Sequence, residues 1–302
     1  MGSGSYSHES YTRLASSKAY GAKSAREIFS NSMNIKNDSR SFNKSVRTYN
    51  VDKVDETMIN IGVRQSVDSE EHPNTTPIII AFDVTGSMGR IPHMMIKEYL
   101  PKILLTLQEA GVPDPQVMFM AFGDQYSDYH PIQATQFESD TEKIQNSLES
   151  LYLEGGGGGN GGESPALAYA IAGYHTEIDS WYKRGKKGFM FTISDEPCHP
   201  QLESEAQVEH LGYEKGTKSK SAAEIISKAK EQYNIFHLHM DDGNYSVHSV
   251  ESSWKELLGD HFLHCKSSEL LEVIPKLILE NIEVTSETTS DKTSESKEEY
   301  SY

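Results

Sequence analysis

Cysteine is nearly absent: the 302 residues contain two, Cys198 and Cys265. They lie too far apart to suggest a disulfide framework or the short-spaced pair of a zinc site, so a reducing, cytoplasmic setting is the expectation. Long apolar runs are missing as well. Nowhere do about eighteen uncharged apolar residues follow one another, and the opening MGSGSYSHESYTRLASS lacks the apolar core of a signal peptide. Neither export nor a membrane span is expected. Basic residues are scarce, with 28 Lys and Arg against 45 Asp and Glu and a formal charge of −17. Such a chain repels phosphate backbones and anionic bilayer surfaces, which disfavours nucleic acid and membrane as partners.

What is present suffices for one core. The length allows one full domain with appendages, and 36% hydrophobic residues excludes a wholly disordered chain. The charge is uneven. Residues 1–50 hold eight bases and three acids, are rich in Ser and Asn, and read as a loosely ordered arm with a short helix around Ser24–Met33. Residues 285–302 form an acidic Ser/Thr tail of net charge −3, expected to be solvated and disordered. Taking the arm's +5 and the tail's −3 out of −17 leaves −19 on residues 51–284, the globular domain.

Inside that domain the periodicity alternates. Continuous apolar runs at Pro77–Phe82, Gln116–Phe122, Gly188–Ser194 and Asn234–Met240 suit strands buried on both faces, with a short further strand at His261–Cys265. Between them helical spacing predicts helices over Ile91–Ala110, Asp140–Leu153, Pro165–Trp181, Ser221–Gln232 and Val250–Leu258, and a closing helix over Ser267–Glu280. Pro101 is expected to kink or divide the first, and Asp140 to cap the second. Thr57–Gln65 alternates and predicts an antiparallel edge strand. The fold class is therefore α/β, a Rossmann-like, doubly wound, mostly parallel sheet of about six strands with helices on both faces.

Ligand-binding groups in such a sheet collect in loops at the carboxyl ends of the strands. Three loops carry suitable residues. The first, Asp83-Val84-Thr85-Gly86-Ser87-Met88-Gly89, offers a carboxylate and two hydroxyls at alternating positions. These hard oxygen donors favour Mg²⁺, Mn²⁺ or Ca²⁺, while the competing local reading is a helix cap by Asp83 or Ser87. The second loop, residues 155–165, sets seven glycines around Asn160 before Glu163-Ser164-Pro165. It reads as a close backbone approach, a left-handed turn or a flexible linker. A phosphate cradle is disfavoured, because no Lys-Ser/Thr follows the glycines and Glu163 would repel phosphate. The third loop places Asp195-Glu196-Pro197 after a buried strand.

Taken together in this order, the loops make the chain resemble the von Willebrand factor A (vWA) family over about 200 residues. That family's metal-ion-dependent adhesion site (MIDAS) combines Asp-x-Ser-x-Ser, a second-loop hydroxyl or acid, and a third-loop Asp. Asp83, Thr85 and Ser87 match the first element and Asp195 the last; Asp68–Pro77 ahead of them is similar to stand-alone bacterial or phage members. The resemblance implies a divalent cation, Mg²⁺ before Mn²⁺ or Ca²⁺, and a non-catalytic module that binds another protein, with a partner's acidic side chain completing the metal site. It departs in the second loop, where Glu163 and Ser164 replace the usual Thr. Ser164 as ligand leaves an open position; Glu163 as ligand adds a third carboxylate and weakens attraction to a partner's acid; Glu163 as a cap or as the partner of a metal-bound water is the remaining alternative.

Other classes are weighed on the same residues. A regulatory or chaperone-like subunit working with an ATPase is the main alternative within the family. Asp83-Val84-Thr85 also resembles, superficially, the phosphotransfer motif of haloacid-dehalogenase-like phosphatases, but Thr85 stands where the general acid belongs and cannot transfer a proton near neutral pH. A metal-dependent phosphohydrolase is thus disfavoured, and no enzymatic activity is expected. Ser87 lacks a Gly-x-Ser-x-Gly elbow. His237 and His239 share a strand face and read as structural rather than zinc-binding; Cys198 reads as an ordinary loop thiol. Met94, Met95 and Tyr99 read as core, and Asp124, Asp128 and His130 as a solvated loop near the rim.

Overall fold

The structure is a computed structural model that describes residues 56–153 and 160–294. The expected N-terminal arm with its short helix, most of the glycine run and the end of the acidic tail lie outside the described residues. A short helix α1 (Glu56–Ile59) and strand β1 (Arg64–Ser66) lead into β2 (Thr76–Asp83). Next come α2 (Ile91–Met94), a π-turn (Met95–Tyr99), α3 (Leu100–Glu109), β3 (Pro115–Phe122), β4 (Ile132–Ala134) and α4 (Thr141–Ser150). After the glycine loop follow α5 (Pro165–Tyr174), β5 (Thr176–Ile178), α6 (Asp179–Arg184) and β6 (Gly188–Ser194). The chain continues with β7 (Gln201–Leu202), α7 (Ser204–Leu211), β8 (Lys220–Ser221), α8 (Ala222–Ala229), β9 (Tyr233–Met240), α9 (Val247–Leu258), β10 (Phe262–Cys265) and α10 (Leu270–Ser294). The last helix runs on past residue 284, where the composition changes.

Six strands form the central sheet in the order β10-β9-β6-β2-β3-β4. All neighbours are parallel except β4, which runs antiparallel to β3. This is the doubly wound α/β architecture that the buried runs imply. Strand alternation divides the apolar residues between two layers. Ile78, Ile80 and Phe82 of β2 face α3, α4 and α10, where Ile103, Leu107, Leu148 and Ile274 cover them. Ile79 and Ala81 face α5, α8 and α9, with Leu167, Ile225 and Trp254 on that side. Burial of β2 on both faces is complete, which explains its uninterrupted apolar run.

Three expectations are corrected. Thr57–Gln65 is not an antiparallel edge strand: its start is helical, and β1 pairs in parallel with β5 in a separate two-stranded sheet. Buried Arg64 gives the reason, since its guanidinium donates to the carbonyls of Thr57 and Ala134 and ties the segment beside β4, the true antiparallel edge. The helix expected over Pro165–Trp181 breaks after Tyr174. There the hydroxyl of Thr176 bonds back to the carbonyl of Ala172 at 2.7 Å, and β-branched Thr176 and Ile178 pair with β1. Of the residues read as core at Ile91–Ala110, Met95 is buried and half-buried Tyr99 packs against the same cluster, whereas Met94 is half-buried and outside it.

Pro101 does not end the helical run. The π-turn just before it lets the Leu100 N–H bond to the carbonyl of Met95, five residues back, and so absorbs the proline's missing donor and its ring. Asp140 caps α4 as expected, its side chain accepting from the Lys143 N–H.

Candidate metal centre

Because β9, β6, β2 and β3 are parallel neighbours, the loops after them emerge at one edge. The loop after β2 is organised by Asp83, which is fully buried. Its Oδ1 accepts from the N–H and the hydroxyl of Thr85 at 2.8 and 2.5 Å, and its Oδ2 accepts from the Ser194 hydroxyl at 2.7 Å. The Thr85 and Ser87 hydroxyl oxygens are 3.2 Å apart, and Ser87 donates to Asp195 Oδ1 at 2.9 Å. Asp83, Thr85, Ser87 and Asp195 thus form one continuous polar set across two loops 108 residues apart in the pairing of Ser87 with Asp195.

A fourth loop completes the clamp on Asp195. Its Oδ2 accepts the backbone N–H groups of Asn244 and Tyr245 at 2.6 and 3.0 Å. Gly243 is required here, because a Cβ at that position would stand 2.6 Å from Asp195 Oδ2. Asp241-Asp242-Gly243-Asn244-Tyr245 carries a clear turn signature directly after a buried strand, which is the signal that would have found this loop.

The second loop enters through Gly161, which has a left-handed φ of 82°. Glu163 then forms a parallel bridge with the Asp195 loop: its N–H donates to the Pro197 carbonyl at 3.0 Å, and its carbonyl accepts from the His199 N–H at 2.9 Å. The Glu163 side chain is 2% exposed, and its Oε2 has no hydrogen-bond partner. Ser164 is also buried, but its hydroxyl oxygen accepts the Gln125 N–H at 2.9 Å and its own N–H donates to the Gly123 carbonyl. The Glu163 backbone is therefore fastened to the loop that carries Asp195, while Ser164 is engaged with the loop after β3.

That loop also departs from expectation. Asp124 is completely buried rather than solvated. It holds His199 Nε2 at 3.1 Å, the Tyr126 N–H, the Ser127 hydroxyl and the Asn160 amide, so it ties the glycine loop to the Asp195 loop. Asp128 is half-buried and accepts the Asp124 N–H. His130 is half-buried too. No local pattern marks Asp124 or His199, because their contact joins segments 75 residues apart.

Among the described residues the edge is rich in buried acids. Burial pushes the carboxyls of Asp83 and Glu163 well above the usual range, and each is raised further by neighbouring acids, Asp195 for the former and Asp83 first for the latter. Burial raises Glu196 as well. Asp124 moves the other way, since hydrogen bonds led by His199 overcome the effect of burial. Among the described residues no three His, Cys, Asp or Glu side chains hold an ion by themselves. A donor set for a hard cation would have to be mixed here, with carboxylates supplemented by the Thr85 and Ser87 hydroxyls.

The other sequence candidates lie elsewhere. His237 and His239 are buried on β9, inside the sheet rather than at its edge. His237 Nδ1 pairs with the Thr192 hydroxyl at 2.8 Å, and its ring stacks on Trp254 at 3.5 Å. The half-buried Cys198 thiol donates to the His199 carbonyl, and burial pushes it up to about 12, as suits an unreactive thiol. No described helix is long and apolar enough to cross a membrane.

The sequence matches no family model and no curated protein. Similar solved structures include the pilus adhesin SpaC from Lactobacillus rhamnosus GG, in two crystal structures with TM-scores of 0.46 and 0.45. In both, identity is 12% and the match covers 73% of this chain but 31% of the adhesin. An aerotolerance-related membrane protein from Bacteroides fragilis NCTC 9343 aligns at a TM-score of 0.37 and 13% identity, covering 67% of this chain and 97% of the other. Likeness at this level bears on neither family nor activity.

Proposed function

We propose that the chain is a vWA-like module that binds another protein and depends on a divalent cation for doing so. The observation that carries this reading is the hydrogen-bonded set of Asp83, Thr85, Ser87 and Asp195 at the carboxyl ends of β2 and β6. Asp83, Thr85, Ser87 and Asp195 would hold the ion, with Glu163 or Ser164 adding the second-loop donor. Mg²⁺ suits these hard oxygens, and Mn²⁺ or Ca²⁺ would bind the same set. A bound ion supplies positive charge to an edge crowded with buried carboxylates. The protein's own part is to prepare that edge. Ser194 and the Thr85 N–H orient Asp83, and the Asn244 and Tyr245 N–H groups fix Asp195.

The same loops display Tyr126, Tyr129 and Tyr245 to solvent. Exposed tyrosines beside a rigid polar centre suit a protein interface. The proposed role is a non-catalytic one, and Thr85 in the place where a phosphotransfer enzyme needs an acid supports that reading. Calorimetry is expected to show Mg²⁺ or Mn²⁺ binding that Asp83→Ala abolishes; unchanged affinity in the variant defeats the site assignment. Proteins captured from a lysate in Mg²⁺ are expected to be lost in EDTA. Identical capture in both defeats cation-dependent recognition and leaves the fold untouched.

A further inference from the structure

Among the described residues, the large hydrophobic side chains exposed to solvent are Val63 and five tyrosines. Tyr126, Tyr129 and Tyr245 lie on the loops at the carboxyl edge, where the Tyr126 hydroxyl donates to Glu203. Tyr174 and Tyr182 stand near the amino ends of the strands. Tyr174 closes α5, a helix of ten residues that starts at the carboxyl edge and is about 15 Å long. Tyr182 lies on α6, just before β6. Here the neighbours are lysines.

The packing of α8 on α5 builds this surface. Gly173 permits the approach, because a Cβ there would stand 3.0 Å from Lys228 Cγ and 3.1 Å from the Ala229 nitrogen. The Lys228 ammonium is thereby held 6.0 Å from the Tyr174 ring centroid. Lys220, at the other end of α8, lies 4.3 Å above the same ring and donates to its hydroxyl at 3.1 Å. Glu231, then Tyr174 and Tyr182, raise the Lys228 ammonium, which places both rings beside it. Along the amino edge the row continues, as Lys187 donates to the Lys230 carbonyl at 2.5 Å and Lys230 to the Leu257 carbonyl at 3.4 Å. Among the described residues Lys228 pairs with Glu231, while Lys187, Lys220 and Lys230 have no acidic partner. A carbonyl or a phenol satisfies one of the three N–H groups of an ammonium and neutralises none of its charge.

In a domain of net charge −19 this is a local surplus of positive charge set around exposed rings. We propose that the face made of Tyr174, Tyr182, Lys187, Lys220, Lys228 and Lys230 docks an acidic peptide segment of another protein. Carboxylates meet the remaining ammonium N–H groups, and Tyr174 and Tyr182 supply the apolar contact that tyrosines bring to interfaces. A short acidic segment suits the face better than a nucleic acid. At physiological salt, charges beyond about 8 Å are largely screened, so a few carboxylates feel mainly the lysines. A long phosphate backbone would run on across the acid-rich remainder of the domain. Lying at the opposite ends of the strands from the candidate cation edge, the face needs no ion to act.

The test uses the full chain in EDTA, with end-labelled octaglutamate, octaglutamine and single-stranded oligothymidylate as probes in fluorescence anisotropy. Octaglutamate is expected to bind, to weaken as salt is raised, and to outcompete the other two. Tyr182→Ala is expected to weaken its binding about tenfold, as loss of a central aromatic contact does. Lys220→Gln is expected to weaken it about threefold, the scale of one exposed charge pair. Lys220→Arg keeps the cation and is expected to bind like the wild type, which separates lost charge from a disturbed surface. Lys102→Gln, on α3 of the opposite helical layer, is expected to change nothing. Absence of octaglutamate binding, or equal binding in Tyr182→Ala and Lys220→Gln, overturns the proposal. Tighter binding of oligothymidylate through the same two residues overturns it in favour of a nucleic-acid partner.

Discussion

Two buried polar clusters sit on the same face of β6, and they behave in opposite ways. Thr192 belongs to a neutral chain in which its hydroxyl meets Tyr169 Oη at 2.7 Å and His237 Nδ1 at 2.8 Å, under the indole of Trp254. Ser194, one step further along that face, belongs to the carboxylate edge and donates to Asp83. In the interior cluster, burial drives the Tyr169 hydroxyl up and the His237 imidazole well down, so both groups stay uncharged. At the edge the buried groups are acids facing acids. A buried polar group that is neutral and paired stabilises a fold modestly, whereas buried acids that face one another are disfavoured as anions and pushed toward their protonated forms.

The strongest way to break this separation is at the residue that touches both clusters. Trp254 fills the interior, and its indole N–H donates to the Glu196 carbonyl at 3.0 Å, beside Asp195. Trp254→Ala is expected to cost about 3–5 kcal/mol in denaturant unfolding and also to weaken Mg²⁺ binding. Unchanged ion affinity in a folded variant would show that the two clusters are independent even there. Thr192→Val touches only the interior. Losing the hydroxyl contacts is expected to cost about 1–3 kcal/mol, equally in EDTA and in Mg²⁺; a cost that differs between the two conditions couples the clusters.

The mildest test is pH. Asp83 and Glu163 have folded values raised above their ordinary 3.8 and 4.5, so in EDTA their contribution is fully present below those values and is lost as pH rises. His237 has a folded value depressed below 6.5, so its unfolded form takes up the proton first and stability is lost as pH falls below that value. Between pH 4.5 and 6.5 the two effects oppose each other. Saturating Mg²⁺ is expected to remove the carboxylate effect and leave stability rising with pH across that window. Superimposable pH profiles in EDTA and Mg²⁺ would count against the carboxylates as the ion's ligands.

Much of this was legible locally. The uninterrupted apolar runs marked β2, β3, β6 and β9, because a strand covered on both faces has no polar side to show. Asp83, Thr85 and Ser87 were visible as a motif because alternating positions in one tight loop converge without outside help. The small β1–β5 sheet was not visible. Its three-residue strands are too short for periodicity and gain their pairing from each other across 112 positions, as between Gln65 and Glu177. Asp124 read as solvent-facing because it lies among polar residues, and its burial comes from His199 and Asn160, which reach it from two other loops.

Which side chains stand at the carboxyl ends of the strands is written locally, since period, turn residues and strand length are short-range properties of the chain. Which of those side chains share one space depends on how the strands assemble. Parallel neighbours in the order β9-β6-β2-β3 bring Asp195, Asp83 and the Asp124 loop to a common edge, and the Glu163–Cys198 bridge fastens Glu163 there. The electrostatic character of that edge follows from this convergence, because desolvation and like-charge repulsion arise only when distant carboxylates are buried together.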